Sequence, residues 1–119
     1  MKRYEGKGLP QNPTVAVIAN DAIGNFIVAT PLLQMIRREL SPSSVHYFGG
    51  TRTLEFQDNS DLFEKHFPLH GKGLREAYEW VDGFHYDLVV NVEQGSLAKA
   101  FAGLICDENS YVCGPAIGT

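Results

Sequence analysis

Two short loops carry the polar side chains of this chain that could do chemistry. The first loop contains Asn20 and Asp21 and ends at Gly24 and Asn25, so it offers one carboxylate and two carboxamides. A helix is expected to follow, and the N–H groups at its start would favour an anionic or polyhydroxy ligand. These four residues are therefore candidates for ligand binding. They would suit an alternative equally well, in which Asp21 caps the helix and the asparagines occupy tight turns.

The second loop contains Glu93, Gln94, Gly95 and Ser96. The side chains of Glu93 and Gln94, together with the N–H group of Ser96, could bind the hydroxyls of a ligand. The residues alone favour a plainer interpretation, in which Ser96 caps a helix and Gly95 forms the turn before it. Both interpretations predict that a helix follows this loop.

Several common kinds of site are not indicated. The first loop has a single glycine, Gly24, so it matches neither a dinucleotide-binding turn nor a phosphate-binding loop. His66 and His70 flank a proline, which prevents the shared helical face of a metal-binding pair. Cys106 and Cys113 lack the spacing of a zinc or redox pair, and we expect them to be reduced and mostly buried. The sequence therefore predicts no metal site.

The composition indicates one globular domain. The chain has 119 residues, of which 44% are hydrophobic and 20% charged, which is enough apolar material to fill one core. Its net charge of −4 argues against broad electrostatic binding to nucleic acid. Neither a signal peptide nor an apolar run of membrane-spanning length is visible. We therefore expect a cytoplasmic protein with no transmembrane segment and no nucleic-acid partner.

The apolar pattern predicts alternating strands and helices. Residues 1–13 lack an apolar period and are interpreted as a flexible lead-in, so that residues 14–119 form a single domain. The predicted strands cover residues 15–19, 45–48, 65–67, 87–92 and 111–113. With helices between them, the fold class is α/β, a three-layer Rossmann-like open parallel sheet of about five strands with helices on both faces. In such a sheet the two polar loops would be neighbours at the switch point, where ligands bind.

Two amphipathic helices follow the two polar loops. Pro31 lies either in the first turn of the first helix, with Thr30 as a cap, or inside a helix that begins near Gly24. Weaker patterns predict short helices over residues 53–57 and 74–81. The residues predicted to share the buried face are Ala29, Leu33, Ile36 and Leu40 in the first helix and Leu97, Phe101, Leu104 and Ile105 in the second.

Two segments of the chain resemble a known family. Residues 23–33, with the sequence Ile-Gly-Asn-Phe-Ile-Val-Ala-Thr-Pro-Leu-Leu, are followed by Ile36-Arg37-Arg38. They resemble the first loop and helix of the family 9 glycosyltransferases, the ADP-heptose:lipopolysaccharide heptosyltransferases, which show Ile-Gly-Asp, an apolar stretch, Thr-Pro-Leu-Leu and an arginine-rich helix. Residues 86–97 are similar to that family's Tyr-Asp-Leu-Val-Ile-Asp-Leu-Gln-Gly region. The two motifs occur in the family's order.

The resemblance implies the N-terminal, acceptor-side half of a GT-B architecture, in which two Rossmann-like domains face each other across a cleft. The family transfers a sugar from a nucleotide-sugar donor to a bacterial surface glycan such as lipopolysaccharide core. Because the donor site lies mostly in the C-terminal domain, we expect this domain to bind no cofactor and to be inactive alone. Its expected partners are a glycan acceptor and either that second domain or another copy, in the cytoplasm or peripheral to the inner membrane.

One departure from the family concerns catalysis. The family's Asp, taken as the base that deprotonates the acceptor hydroxyl, aligns with Asn25, and a carboxamide cannot accept a proton at neutral pH. Asp21, four residues earlier, is the substitute that the same loop offers. Two alternatives remain. The chain is a family member that binds without catalysing, or it is a stand-alone Rossmann-like module that binds a partner chain or a small ligand.

Overall fold

Short apolar runs form the strands of a single sheet in the computed structural model. The structure describes residues 1–19, 23–49, 57–68, 79, 81 and 83–116, with the backbone alone for residues 23–28. The elements in chain order are β1 (Lys2–Arg3), β2 (Thr14–Ile18), α1 (Ile23–Leu40), β3 (Ser44–Gly49), β4 (Lys65–Pro68), β5 (Leu88–Asn91), α2 (Ser96–Leu104) and β6 (Tyr111–Cys113).

The sheet has six strands in the order β1-β6-β5-β2-β3-β4. Every pairing is parallel, and β2 lies at the centre, with Val15 opposite Val45 of β3 and Leu88 of β5. From Val15 to Ile18 the side chains of β2 are 0% exposed, as expected for a strand covered on both faces. The predicted Rossmann-like open parallel sheet is confirmed.

The two helices of the described residues, α1 and α2, cover opposite faces of this sheet. Val15 and Val17 of β2 pack with α1, in a cluster that contains Leu33 and Ile36. Ala16 and Ile18, which point to the other face, pack in the cluster that contains Phe101 of α2. Successive residues of a strand point to opposite faces, so one apolar run supplies both cores. The chain therefore has helices on both faces, as predicted.

The lead-in prediction needs a correction at Lys2–Arg3, which form the edge strand β1 and bring the sheet to six strands. The N–H of Lys2 donates to the carbonyl of Ser110 at 2.9 Å, and the N–H of Tyr4 donates to that of Val112 at 2.9 Å. A two-residue polar edge strand has no apolar alternation because both its side chains are exposed. The apolar pattern could not indicate it.

The start of the first helix also differs from the loop predicted over residues 21–25. α1 begins at Ile23, so Gly24 and Asn25 belong to its first turn, and Pro31 lies inside the helix. This is the second of the two alternatives for Pro31. Its ring removes one backbone donor about two turns into the helix, but the apolar face of α1 packs on the sheet and supports the helix on both sides of it.

The predicted buried face of the second helix is confirmed for Phe101 and Ile105 and wrong for Leu97 and Leu104. The residues of α2 that are buried are Ala98, Phe101 and Ala102, and Ile105 follows on the same side. Leu97 and Leu104, predicted to be on that face, are 36% and 46% exposed. Phe101 fills the space under the helix, and the two alanines allow the helix to approach the sheet closely. The small alanines therefore occupy the buried face, and the larger leucines lie outside it.

Most residues of the two weaker helix predictions, over 53–57 and 74–81, lie outside the described part of the chain. In the part that is described, neither helix is long and apolar enough to cross a membrane. Cys106 is half-buried, whereas Cys113 is exposed, so the expectation of mostly buried thiols fails for Cys113.

Candidate functional site

The carboxyl ends of β2 and β5 lie side by side. Ile18 is in register with Asn91, and the N–H of Val92 donates to the carbonyl of Ile18 at 3.0 Å. The chain leaves β2 towards β3 on one side and leaves β5 towards β6 on the other. This divergence is the switch point of an open α/β sheet, where ligands bind. The predicted neighbourhood of the two strand ends is confirmed.

Asn91 holds this edge together. Its side chain is buried, at 2% exposure, and its Nδ2 donates to the carbonyl of Glu93 at 2.9 Å and to that of Pro115 at 2.7 Å. Its Oδ1 accepts the N–H of Glu93 at 2.9 Å. One carboxamide thus fixes the loop after β5 to the segment after β6. We call residues 91–96 and 114–116 the rim.

Gly114 lets these two segments touch. It has a φ of 92°, and a Cβ at this position would overlap the backbone carbonyl oxygen of Asn91. The guanidinium of Arg3 donates to the carbonyl of Gly114 from the neighbouring strand β1. Only glycine combines this backbone conformation with so close an approach. The rim therefore depends on Gly114 as well as on Asn91.

The predicted residues of the second loop all lie on the rim. Glu93 is half-buried, whereas Gln94, Gly95 and Ser96 are exposed. Gly95 is the N-cap of α2, in an extended conformation and without a side-chain cap, and Ser96 is the first helical residue. The prediction that Ser96 caps the helix is therefore wrong, because the N-cap is Gly95, one residue earlier. The rim offers a carboxylate, a carboxamide and a helix start to solvent.

The first loop is only partly described. Asn20 and Asp21 lie outside the described residues, and the structure gives Gly24 and Asn25 as backbone in the first turn of α1. α1 follows β2 and α2 follows β5, so the starts of both helices lie beyond adjacent strand ends. The assignment of a role to these four side chains stays a prediction.

Asn91 and Gly114 hold the rim together, but the sequence patterns assign neither of them a role. Asn91 falls inside the strand predicted over residues 87–92. A polar residue directly after the apolar run Leu88 to Val90 was the available signal, since its side chain had to be buried and satisfied. Nothing in the sequence gave its partner Pro115, which lies 24 residues further along the chain.

The described histidines lie away from the rim. His46 is buried at 3% exposure, and its Nδ1 lies 2.6 Å from the hydroxyl oxygen of Tyr86. Burial, together with the charge of Lys65, lowers the pKa of His46, which keeps the ring neutral near pH 7. His66 contacts Gln57 at 3.1 Å and Asp58 at 3.0 Å. Among the described residues, no group of three or more potential ligands could hold a metal ion.

A cleft of about 460 Å³ lies at the opposite edge of the sheet, between residues 4–13 and residues 39–41 at the end of α1. Its charged side chains, Lys7 and Glu39, are both exposed. The side chain of Asn12 donates to the carbonyl of Ser41 at 2.7 Å and closes its base. Ligands of open α/β sheets bind at the carboxyl ends of the strands, so we take the rim as the candidate site.

Comparison with known proteins supports the fold. No family model matches the chain, and no curated protein matches it. Among solved structures, the chain is similar to the glycosyl transferase family 9 structure from Veillonella parvula DSM 2008, with a TM-score of 0.69 and 18% identity. The match covers 85% of this chain and 30% of that one. The chain thus spans about a third of that structure's length and shares the fold of that part.

Proposed function

We propose that this chain is a glycosyltransferase-like domain that binds the glycan acceptor of a heptosyltransferase-like enzyme. Such an enzyme transfers a sugar from a nucleotide-sugar donor to a bacterial surface glycan, working in the cytoplasm or at the inner membrane. The proposal is supported by similarity in fold to a family 9 glycosyltransferase structure, together with a polar rim at the switch point of the sheet. On this proposal, a second domain holds the donor, and this domain alone transfers no sugar.

The single observation that carries the proposal is the anchoring of the rim by Asn91. Its three hydrogen bonds, to both backbone groups of Glu93 and to the carbonyl of Pro115, fix the backbone on which Glu93 and Gln94 stand. A carboxylate accepts hydrogen bonds, and a carboxamide both accepts and donates them, so the pair suits the neighbouring hydroxyls of a sugar. Preorganisation of this kind lowers the entropic cost of binding.

The charge of the rim favours a neutral sugar. Across residues 91–96 and 114–116 the sequence contains one charged side chain, the carboxylate of Glu93. Phosphorylated glycans are normally bound by arginine or lysine, whose N–H groups donate to phosphate oxygens. The guanidinium of Arg3 lies beside the rim, but it is bonded to the carbonyl of Gly114, and the rim residues themselves include no arginine or lysine. We therefore propose a neutral sugar unit as the part of the acceptor that contacts this rim.

The proposal is tested by titrating the ¹⁵N-labelled chain with neutral heptose- or hexose-containing oligosaccharides and following the amide resonances. We expect saturable shifts at residues 93–96 and 116. Replacing Glu93 with Gln should weaken binding about threefold to tenfold, the range for one typical hydrogen bond. Glu108→Gln is the matched control, since Glu108 is exposed in the turn before β6, at the other edge of the sheet. Equal effects of the two variants, or no binding at millimolar sugar, would contradict the proposal.

A second candidate function is a non-catalytic interaction module. It is favoured by three exposed apolar side chains on α2 and the loop before it, Val92 at 48%, Leu97 at 36% and Leu104 at 46% exposure. Sedimentation over a range of concentrations would reveal self-association. If this face mediates it, Leu104→Gln should reduce association, whereas Met35→Gln should not, because Met35 is similarly exposed but lies on α1. A chain that stays monomeric throughout would count against association of copies by this face.

A further inference from the structure

The edge of the sheet opposite the rim carries a second group of charged side chains. His85 lies three residues before β5, with its Nδ1 at 2.6 Å from Oδ2 of Asp107 and its Nε2 at 3.0 Å from Oδ1 of Asp87. Asp107 belongs to the turn between α2 and β6, whereas Asp87 directly precedes β5. One imidazole therefore lies between two carboxylates that belong to different connections. We call these three residues the His85 bridge.

Both carboxylates are held in place by other groups. Oδ2 of Asp87 accepts the N–H of Thr14 at 2.9 Å, which ties Asp87 to the start of β2, whereas the hydroxyl of Thr14 donates to the carbonyl of His85 at 2.7 Å. Oδ1 of Asp107 accepts the N–H of Asn109 at 2.8 Å. The two oxygens that face His85 are thus the ones left for its ring. The imidazole links the turn after α2 to the starts of β2 and β5.

The number of protons on the ring decides whether this link can exist. A neutral imidazole has one N–H group, and an ionised carboxylate can only accept hydrogen bonds. Both contacts of His85 are therefore satisfied only by the imidazolium form. We propose that protonated His85 is a pH-sensitive bridge between the α2–β6 turn and the start of β5, and that loss of its proton removes the contact with Asp87.

The shorter of the two contacts indicates which one survives deprotonation. We place the proton of the neutral ring on Nδ1, because this nitrogen has the shorter contact, 2.6 Å to Asp107. The lone pair of Nε2 then faces the carboxylate of Asp87, so an attraction becomes a repulsion. The turn remains bonded to the ring, and the carbonyl of His85 still accepts the hydroxyl of Thr14 at 2.7 Å, but the contact of the ring with Asp87 is lost.

The charged groups around the bridge set the direction of its titration. The hydrogen bond and negative charge of Asp107, with those of Asp87, raise the pKa of His85 although partial burial opposes them. His85 bonding in turn lowers the pKa of Asp107. The positive charge of the Met1 ammonium lowers the pKa of the neighbouring Cys106 thiol, but burial outweighs it and raises that pKa to about 11. The thiol therefore stays protonated while His85 titrates. Thr14 is the uncharged contact from β2.

The pH window follows from the raised pKa. A group that binds its proton more tightly in the folded state stabilises that state fully below its unfolded pKa, and this contribution is lost as the pH rises through the folded pKa. The bridge is therefore closed in mildly acid solution and opens towards alkaline pH. Opening of the bridge should also affect the edge strand β1, because the N–H of Lys2 donates at 2.9 Å to the carbonyl of Ser110, which lies in the same turn.

Nuclear magnetic resonance of the full chain tests the proposal. At about pH 6, where the raised pKa leaves the folded ring protonated, both ring nitrogens of His85 should carry protons. His85→Gln, which keeps only one donor nitrogen, should speed amide hydrogen exchange at Asn109 and Lys2 by about 1.5-fold to fivefold, the range for exposed ion pairs. Asp107→Asn should shift the titration of His85 to lower pH.

His66→Gln is the matched control, because His66 also contacts a carboxylate, that of Asp58 at 3.0 Å. It should leave the exchange of Asn109 and Lys2 unchanged. A His85 ring with a single proton at that pH would overturn the proposal. So would equal exchange at these two amides in the His85→Gln and His66→Gln variants. The bridge is independent of the proposed function, since it lies at the other edge of the sheet.

Discussion

The carboxamide of Asn91 donates to the carbonyl of Pro115 across 2.7 Å, although the two residues are 24 positions apart in the chain. This hydrogen bond joins the loop after β5 to the segment after β6 at the point where both leave the sheet. Since Asn91 is 2% exposed, water cannot replace the carbonyl of Pro115 as the acceptor of its N–H group if that contact is lost. The shape of the rim therefore depends on a buried hydrogen bond rather than on apolar packing.

Replacing Asn91 with Ala should destabilise the fold by about 1–3 kcal/mol, because the half-buried carbonyl of Pro115 and the N–H of Glu93 lose their partner. Urea unfolding measures this loss. The control is Asn109→Ala, whose exposed side chain should be worth less than about 0.5 kcal/mol. If the two variants unfold at the same urea concentration, Asn91 does not anchor the rim.

Gly114→Ala should be more harmful than the same change at another glycine of similar backbone conformation. Gly83, with a φ of 87°, has open space where a Cβ would go, so Gly83→Ala costs only the backbone strain, about 1–2 kcal/mol. At Gly114, with a φ of 92°, the methyl group also meets the carbonyl oxygen of Asn91. The overlap should add about 1–3 kcal/mol. Comparison of the two free energies of unfolding isolates the contact, and equal values would argue against it.

The fold could be predicted because its signals are local. An unbroken apolar run such as Val15 to Ile18 indicates a strand covered on both faces. Apolar residues that recur at helical spacing indicate the helices between such strands. The edge strand at Lys2–Arg3 could not be found in this way, since its pairing with Tyr111 and Val112 is set by distant residues. The face of α2 was missed because two alanines beside Phe101 pack more closely than two leucines would.

The site could be located but not assembled from the sequence. Polar residues after two predicted strands indicated which edge to examine, and Glu93 and Gln94 do lie there. What fixes them is the contact of Asn91 with Pro115 and the close approach of Gly114, and both contacts join segments that are remote in sequence. Such contacts follow from the order of β5 and β6 in the sheet, which spacing along the chain does not reveal.

The proposed acceptor chemistry leads to a prediction for Asp21. An attacking sugar hydroxyl has to lose a proton, and Asn25 cannot take it. In a protein that carries this domain together with a donor-binding domain, Asp21→Asn should lower turnover by about 10²–10⁴-fold while leaving acceptor binding nearly unchanged. Asp61→Asn is the control, because Asp61 is exposed in the connection before β4. Full turnover in the Asp21→Asn protein would remove Asp21 as the base, and recovery in an added Asn25→Asp change would show that either position can supply it.

The stability of the fold should decrease in acid because of His46. Burial and the charge of Lys65 lower the pKa of His46 from 6.5, so the unfolded chain binds a proton more tightly than the folded chain does. The unfolded state then holds more protons between the two pKa values, and the free energy of unfolding falls as the pH drops below 6.5. Urea unfolding from about pH 8 to about pH 5 should show this decrease in the wild type and a smaller one in His46→Gln.

His85→Gln should keep the acid decrease and instead lose the decrease towards alkaline pH, because the pKa of His85 is shifted in the opposite direction. An acid slope that is the same with and without His46 would mean that burial and the charge of Lys65 do not keep the ring neutral.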